Sequence, residues 1–346
     1  MFLMVRIIRL VMRFGHHAEQ RYKEWQEERQ FQIAEGRRQL AARNYPEAEK
    51  HFSLALAERR HSNHRRCELL LNLEQAQRRQ GKFTYAEQTL QAAMAIASNR
   101  ALRAKAQDAL VDLQLEQSRY PEAEQSIVDT LQTEHAEARP DTARMARSYR
   151  KLGAVRLKSG RNAEALEAFR QAADLSERVF GAGHEETAQS FAQLGMLHRQ
   201  HGDHPQAQVF LRRALDIYRD ASGLDSHEAT QGLSHLAASL EESGDLDGAA
   251  GEFERLLQLR ARLVGVNPLE NAETQVRLAG LYLKARRTGP AKELLNSAIS
   301  VLERNGGQPL ARAVLMLAVV EEQSGHPQEA ERWREVASNL EGAAAR

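Results

Sequence analysis

His198, His201 and His204 stand three residues apart, a spacing that invites a metal-ion reading. Helical metal ligands sit four apart, however, and Gly202 and Pro205 interrupt any helix here, so these histidines are expected to line a turn. Arg147, Arg150, Lys158 and Arg199 are the other chemical candidates. A guanidinium fork grips a carboxylate through two parallel hydrogen bonds, so a surface carrying these groups suits an acidic peptide or a C-terminal carboxylate. No glycine-rich phosphate loop, HExxH, GxSxG or paired-carboxylate arrangement occurs, and acidic pairs such as Glu185 and Glu186 or Glu321 and Glu322 fall where helix faces and caps carry charge anyway. No catalytic centre, no metal and no cofactor is expected.

What must position these side chains is a repeat. Strings of one kind recur as YPEAEKHF at 45–52, TYAEQTL at 84–90, YPEAEQSI at 120–127, NAEALEAF at 162–169, HPQAQVFL at 204–211, DGAAGEF at 247–253, TGPAKELL at 288–295 and PQEAERWR at 327–334. Their anchor alanines are Ala48, Ala86, Ala123, Ala165, Ala207, Ala249, Ala291 and Ala330, in steps of 38, 37, 42, 42, 42, 42 and 39 residues. A period of this size means stacked helical hairpins rather than a compact enzyme domain. About twelve residues before each anchor stands a second signal: Gly36, Glu74, Val111, Gly153, Gly195, Ala237, Ala279 and Ala318. Where it is small, the two helices of a hairpin approach closely. The residue four after the anchor, Phe52, Leu90, Ile127, Phe169, Leu211, Phe253 or Leu295, is expected to fill the hole to the next hairpin. Arg334 takes that place in the last unit, as suits a face that nothing further covers.

Gly81, Gly160, Gly202, Gly244 and Gly325 end the first helices of their hairpins, and proline or an acid opens the second. His184 and His227 recur in two links between hairpins and are expected to cap helices. Trp25 and Trp333 are expected to seal the two ends of the array.

The array resembles tetratricopeptide repeats in the longer 42-residue form typified by kinesin light chain. The resemblance rests on NLEQAQRRQGKFTYAEQTL at 72–90, on the GxxHE-type links at 181–185 and 223–228, and on four consecutive steps of 42. It implies an all-α, right-handed superhelical solenoid of about eight antiparallel hairpins spanning 18–341, with a tail at 342–346. It also implies a non-enzymatic scaffold or adaptor that receives a peptide or helix of a partner in a concave groove. A peptide-responsive regulator that changes superhelix pitch and a regulatory subunit docked on an enzyme stand as alternatives. Family asparagines that contact peptide backbone correspond here to Asn72, Lys151, Gln193, His235 and Arg277, so the family's cargo motif does not carry over. The groove residues expected from the first helices are Arg78, Arg79, Arg147, Arg150, Lys158, Gln189, Arg199 and Gln231.

Composition agrees with this architecture. Charged residues are 27%, hydrophobic ones 42% and aromatics 5%, which favours alanine- and leucine-lined helix contacts over a β core. Cys67 is the only cysteine, so an intramolecular disulfide and a cysteine zinc site are ruled out, and a reducing, cytoplasmic setting is expected. The net charge of +1 divides into +6 over residues 1–66, from 14 Lys and Arg against 8 Asp and Glu, and −5 over the remainder. Residues 58–67, ERRHSNHRRC, are the densest basic patch, but no stacking aromatic accompanies them and nucleic-acid binding is not expected. Residues 1–17, MFLMVRIIRLVMRFGHH, place Arg6, Arg9 and Arg13 within about 60° of one another on a helix, leaving the rest of its surface apolar. The segment is too short and too charged to span a membrane. It is expected to dock on a membrane surface or a partner, with a folded-back cap and a cleaved presequence as alternatives.

Overall fold

A tight turn decides each hairpin. The computed structural model describes residues 30–57, 61–221, 226–263, 265–304 and 308–344, and among these every regular element is an α-helix. In chain order they are α1 (30–41), α2 (Tyr45–Ala57), α3 (Asn63–Arg79), α4 (Phe83–Ile96), α5 (Arg100–Glu116), α6 (Tyr120–Ala136), α7 (Thr142–Lys158) and α8 (Asn162–Phe180). Then come α9 (Glu185–Gln200), α10 (His204–Ala221), α11 (His227–Glu242), α12 (Leu246–Arg260), α13 (Pro268–Lys284), α14 (Thr288–Leu302), α15 (Gln308–Gln323) and α16 (Pro327–Ala344). The last helix therefore runs past the expected end of the array at 341. Arg6, Arg9, Arg13 and Trp25 lie outside the described residues.

Between the helices of a hairpin the chain passes through one left-handed residue. Five of these are the expected glycines, but Arg43, Ser118 and Arg286 adopt the same conformation, with φ of 59°, 57° and 55°. All eight stand five residues before an anchor alanine, so the turn keeps the period even where glycine is absent. Its hydrogen bonds recur too: the amide after the left-handed residue donates to a carbonyl five residues back, as in Lys82 to Gln77 (3.0 Å), Asp203 to His198 (2.9 Å) and Arg287 to Tyr282 (2.7 Å). A side chain in this conformation costs roughly 1–2 kcal/mol, and glycine gives part of that back in unfolded-state entropy. Arg286→Gly is accordingly expected to raise stability by about 0.5–1 kcal/mol, measured as a higher denaturation midpoint; an unchanged or lower midpoint would show that the turn is unstrained.

All eight anchor alanines are fully buried, at 0% exposure. The large residue four positions on meets the small residue of its own hairpin first. A Cβ on Gly36 would lie 2.8 Å from the Phe52 ring, and one on Gly153 2.7 Å from that of Phe169. The side chain expected to plug the next hairpin thus first closes its own, and it also joins the core of the next, as Phe52 shares one cluster with Leu69, Leu73 and Ala76 of α3. Arg334 is exposed and paired with Glu322 and Glu331, while Trp333 packs half-buried against the core of the last hairpins.

The chain forms two compact units, Met1–Pro140 with Val155–Gly160, and Asp141–Ala154 with Arg161–Arg346. In the first, α3 packs on both α2 and α4 and touches α5, so hairpins stack in sequence order. Glu74, where a small residue was expected, is 1% exposed, and Arg78 one turn on donates to it at 2.9 Å. In the second unit successive hairpins pack as α8 on α9, α10 on α11, α12 on α13 and α14 on α15, and first helices also touch, as α9 does α11. No helix among the described residues is long and apolar enough to cross a membrane.

The histidines divide by function in the fold. His184 caps α9, its Nδ1 accepting from the Glu186 amide at 3.1 Å while its ring stacks on Phe180. His227 does not cap α11, contrary to expectation: Ser226, 42 residues after His184, accepts from the Ala229 amide at 3.1 Å. The register of the repeat assigns the cap to Ser226 and leaves His227 as the first helical residue. His198 is buried against Phe210 and bound to Asp203 at 3.0 Å, whereas His204 approaches Glu242 at 3.8 Å. Among the described residues, the grouping of possible metal ligands is Glu321, His326 and Glu329. There Lys292 already holds Glu321 at 2.6 Å and the positive N-terminus of α16 stands beside it, so the site suits a helix cap better than a cation.

Candidate functional site

The repeat period of 42 carries two columns of side chains across the first helices of the second unit. One column runs Arg147, Gln189, Gln231 and the other Lys151, Gln193, His235, Arg277. Within α9 and α11 the columns are four residues apart, so both lie on one face of each helix. Gln189, Gln193, Gln231 and His235, with Arg150 from α7 and Tyr218 from α10, wall a cleft of about 210 Å³. That is below the usual size of a pocket for a metabolite-sized ligand, roughly 300–1,000 Å³, but sufficient for a side chain of an extended chain.

The arginines of this face are matched. Arg150 lies 3.0 Å from Glu186 and also donates to Gln189, and Arg147 stands at 4.0 Å from the same glutamate while remaining 41% exposed. Arg199 reaches from α9 to Glu242 of α11 at 2.6 Å, and Arg277 reaches from α13 to Glu241 at 2.5 Å. Ion pairs therefore tie α7 to α9, α9 to α11 and α11 to α13. Burial lowers the Arg150 guanidinium from its ordinary value, with Glu186 opposing. It also pushes the Tyr218 phenol upward, helped by Glu228 and Glu185. Burial is again the main cause at His235, followed by Arg199 and Arg277, and together they bring its imidazole down to about 4. His235 is uncharged at neutral pH and offers one donor and one acceptor.

Of the groove residues expected from sequence, Arg150, Gln189 and Gln231 meet in this cleft, Arg147 stands at its edge, and Arg199 flanks His235. Lys158 is exposed at the end of α7 and groups with the first unit. Arg78 does not face a groove: it is 8% exposed and spends its donors on Glu74 and Glu116, while Arg79 is exposed at 3.6 Å from Glu116. Its neighbours four residues back and one hairpin on make Arg78 a core residue. Gln193 and His235 were visible as members of one 42-residue column, but Tyr218, on a second helix, had no such signal. In the basic stretch at 61–67, Arg65 and His64 both turn to Glu68, and Cys67 is buried.

Residues 144–220 match a family model described as tetratricopeptide repeat. Among solved structures, the apo form of RapI is similar at 14% identity with a TM-score of 0.63, over 79% of this chain and 76% of that one. BtubC (BKLC) from P. vanneervenii is similar at 17% identity with a TM-score of 0.50, over 76% and 91% respectively. A putative kinesin light chain with nearly identical TPR-like repeats, from Podosopora anserina, is similar at 18% identity with a TM-score of 0.50, over 58% and 96%. No curated protein matches the sequence. At these identities the likeness is one of fold, and repeats of this kind generally act as protein–protein interaction scaffolds.

Proposed function

We propose, for a chain whose residues 144–220 are tetratricopeptide repeats and whose described hairpins share that fold, a role as a non-enzymatic scaffold that binds an extended segment of a partner protein. The segment lies along the face built by α7, α9 and α11. The observation that carries this reading is the cleft, whose carboxamides at Gln189, Gln193 and Gln231 sit at separations set by helix stacking. A carboxamide both donates and accepts, as a peptide backbone does, and its placement on packed helices means that little receptor ordering opposes binding. Arg147, 41% exposed and 4.0 Å from Glu186, is the contact for an acidic side chain of the partner. Residues 1–17, through Arg6, Arg9 and Arg13, supply a second attachment, to a membrane surface or a larger assembly.

Affinity purification with mass spectrometry tests both attachments. A Gln193→Ala, Gln231→Ala double variant is expected to lose about fivefold to a hundredfold in recovery of its principal partner, each lost hydrogen bond contributing roughly 0.5–1.5 kcal/mol, with an unchanged melting curve. Undiminished recovery would remove the cleft from the interface. Deleting residues 1–17 is expected to shift the protein out of the membrane fraction or remove a distinct set of partners; no change in either would discard that attachment.

A further inference from the structure

We propose that α15 is the contact with a second copy of this chain, the two α15 helices packing antiparallel about a two-fold axis. Arg312, Leu315, Val319 and Glu322 follow one another at spacings of three, four and three residues, so they form one seam along the helix. All four are exposed, Leu315 at 39% and Val319 at 38%. Among the exposed large apolar side chains of the described residues, no other two share a helix face. The repeat shows what covers this seam elsewhere. One hairpin earlier, 39 residues back, the place of Leu315 is taken by Val276, which is 4% exposed. The place of Val319 is taken by Gly280, where a Cβ would come within 3.2 Å of Met316 Cε of α15. α15 thus covers on α13 the positions that no described residue covers on α15 itself. The neighbouring α16 is built differently: where α14 has the buried Leu295 and the partly buried Ile299, it has the exposed Arg334 and Ser338. The hairpin is polar along α16 and apolar along α15, so its occupant covers α15 and leaves α16 in solvent.

The order of the charges selects a second copy as that occupant. The seam runs cation, apolar, apolar, anion, with Arg312 and Glu322 equally far from a midpoint between Leu315 and Val319. A two-fold axis through that midpoint sets Leu315 against the partner's Val319 and Arg312 against the partner's Glu322, each contact being made twice. A parallel pairing would instead oppose arginine to arginine and glutamate to glutamate, so the charges choose the antiparallel one. Arg312 has no ion-pair partner among the described residues. Glu322 is paired with the exposed Arg334 of its own hairpin, and a carboxylate can accept from a second cation. A single helix pair buries less than the roughly 1,200–2,000 Å² of a standard interface, so the dimer is weak and forms at micromolar concentration.

Sedimentation equilibrium of the full chain at about 1–200 μM reads this association directly. The expected result is a mass that rises with concentration towards twice that of one chain and stops there, since a two-fold contact closes on itself. Leu315→Ala with Val319→Ala is expected to weaken association at least about tenfold with an unchanged circular dichroism spectrum, both side chains being exposed in the single chain. Arg312→Glu alone and Glu322→Arg alone should each weaken it about tenfold at low salt, because each replaces two attractions by two repulsions. The two single variants mixed together, and the double variant Arg312→Glu with Glu322→Arg, are expected to regain the association of the parent. A chain that stays monomeric throughout overturns the proposal, as does an association that the apolar double variant leaves unchanged. A double charge variant as weak as the single ones overturns the antiparallel register. The groove reading is separate from all of these and stands or falls on partner recovery by the Gln193→Ala, Gln231→Ala variant.

Discussion

Gly195→Ala is expected to destabilise the second unit by about 3 kcal/mol, although alanine is the better helix former by about 1 kcal/mol. The added methyl would stand 2.6 Å from Cγ of Leu211 and 3.1 Å from the carbonyl oxygen of Ala207. The first contact belongs to a fully buried side chain, and the second to backbone that cannot rotate away. The hairpin of α9 and α10 must open, which also loosens its contact with α11. Two comparisons isolate the cause. At Gly153 the three nearest atoms all belong to the Phe169 ring, the closest 2.7 Å away, so Gly153→Ala is expected to recover largely when combined with Phe169→Leu. Gly195→Ala with Leu211→Ala is not, because the carbonyl remains. Gly251, in the middle of α12 with nothing near its missing side chain, is expected to gain stability as alanine. Chemical denaturation monitored by circular dichroism measures all of these. A Gly195→Ala midpoint equal to that of the parent would mean that the close approach of α9 and α10 is not required.

Arg78→Ala is expected to cost the first unit about 1–3 kcal/mol at pH 8, because it leaves the Glu74 carboxyl inside α3 without its main partner. Glu74 is 1% exposed, and its principal partner is the Arg78 guanidinium at 2.9 Å. Burial raises the Glu74 carboxyl to about 7 even with Arg78 opposing the shift, so the folded chain holds this proton more tightly than the unfolded chain, whose value is 4.5. The stability linked to that proton is complete below about 4.5 and disappears as pH rises through about 7. Removing Arg78 takes away the group that favours the charged form, and the penalty should therefore be larger at pH 8 than at pH 4.5. Replacing both partners, as Glu74→Leu with Arg78→Met, is expected to return stability to within about 1 kcal/mol of the parent, since an apolar pair needs no solvation. A pH-independent penalty for Arg78→Ala would show that the carboxylate finds water or another donor.

Arg78 also illustrates what a sequence hides. Adjacent arginines near the end of a first helix look like a basic edge of a groove, and Arg79 does remain exposed. Arg78 turns inward because Glu74 lies one turn away and Glu116 reaches it from the next hairpin. The second of these contacts spans 38 residues and has no local signature. Arg43, Ser118 and Arg286 were overlooked as turn residues for a related reason: in this position the period is a better guide than the residue type, since the backbone bonds of the turn impose the left-handed conformation on whatever residue stands there. Ser226 in place of His227 follows the same rule.

Periodicity alone determined that the regular elements of the described residues are helices and which alanines are buried, and it marked the five hairpin turns made by glycine, because close helix packing repeats the same steric demand at each period and writes it into residue size. It also placed Gln189, Gln193, Gln231 and His235 on one face. Only the tertiary structure decided which charges are free to meet a partner. Ion pairing depends on distances across stacked helices, and those distances made Arg78 a core residue, tied Arg199 and Arg277 to the glutamates of α11, and left His235 neutral between them.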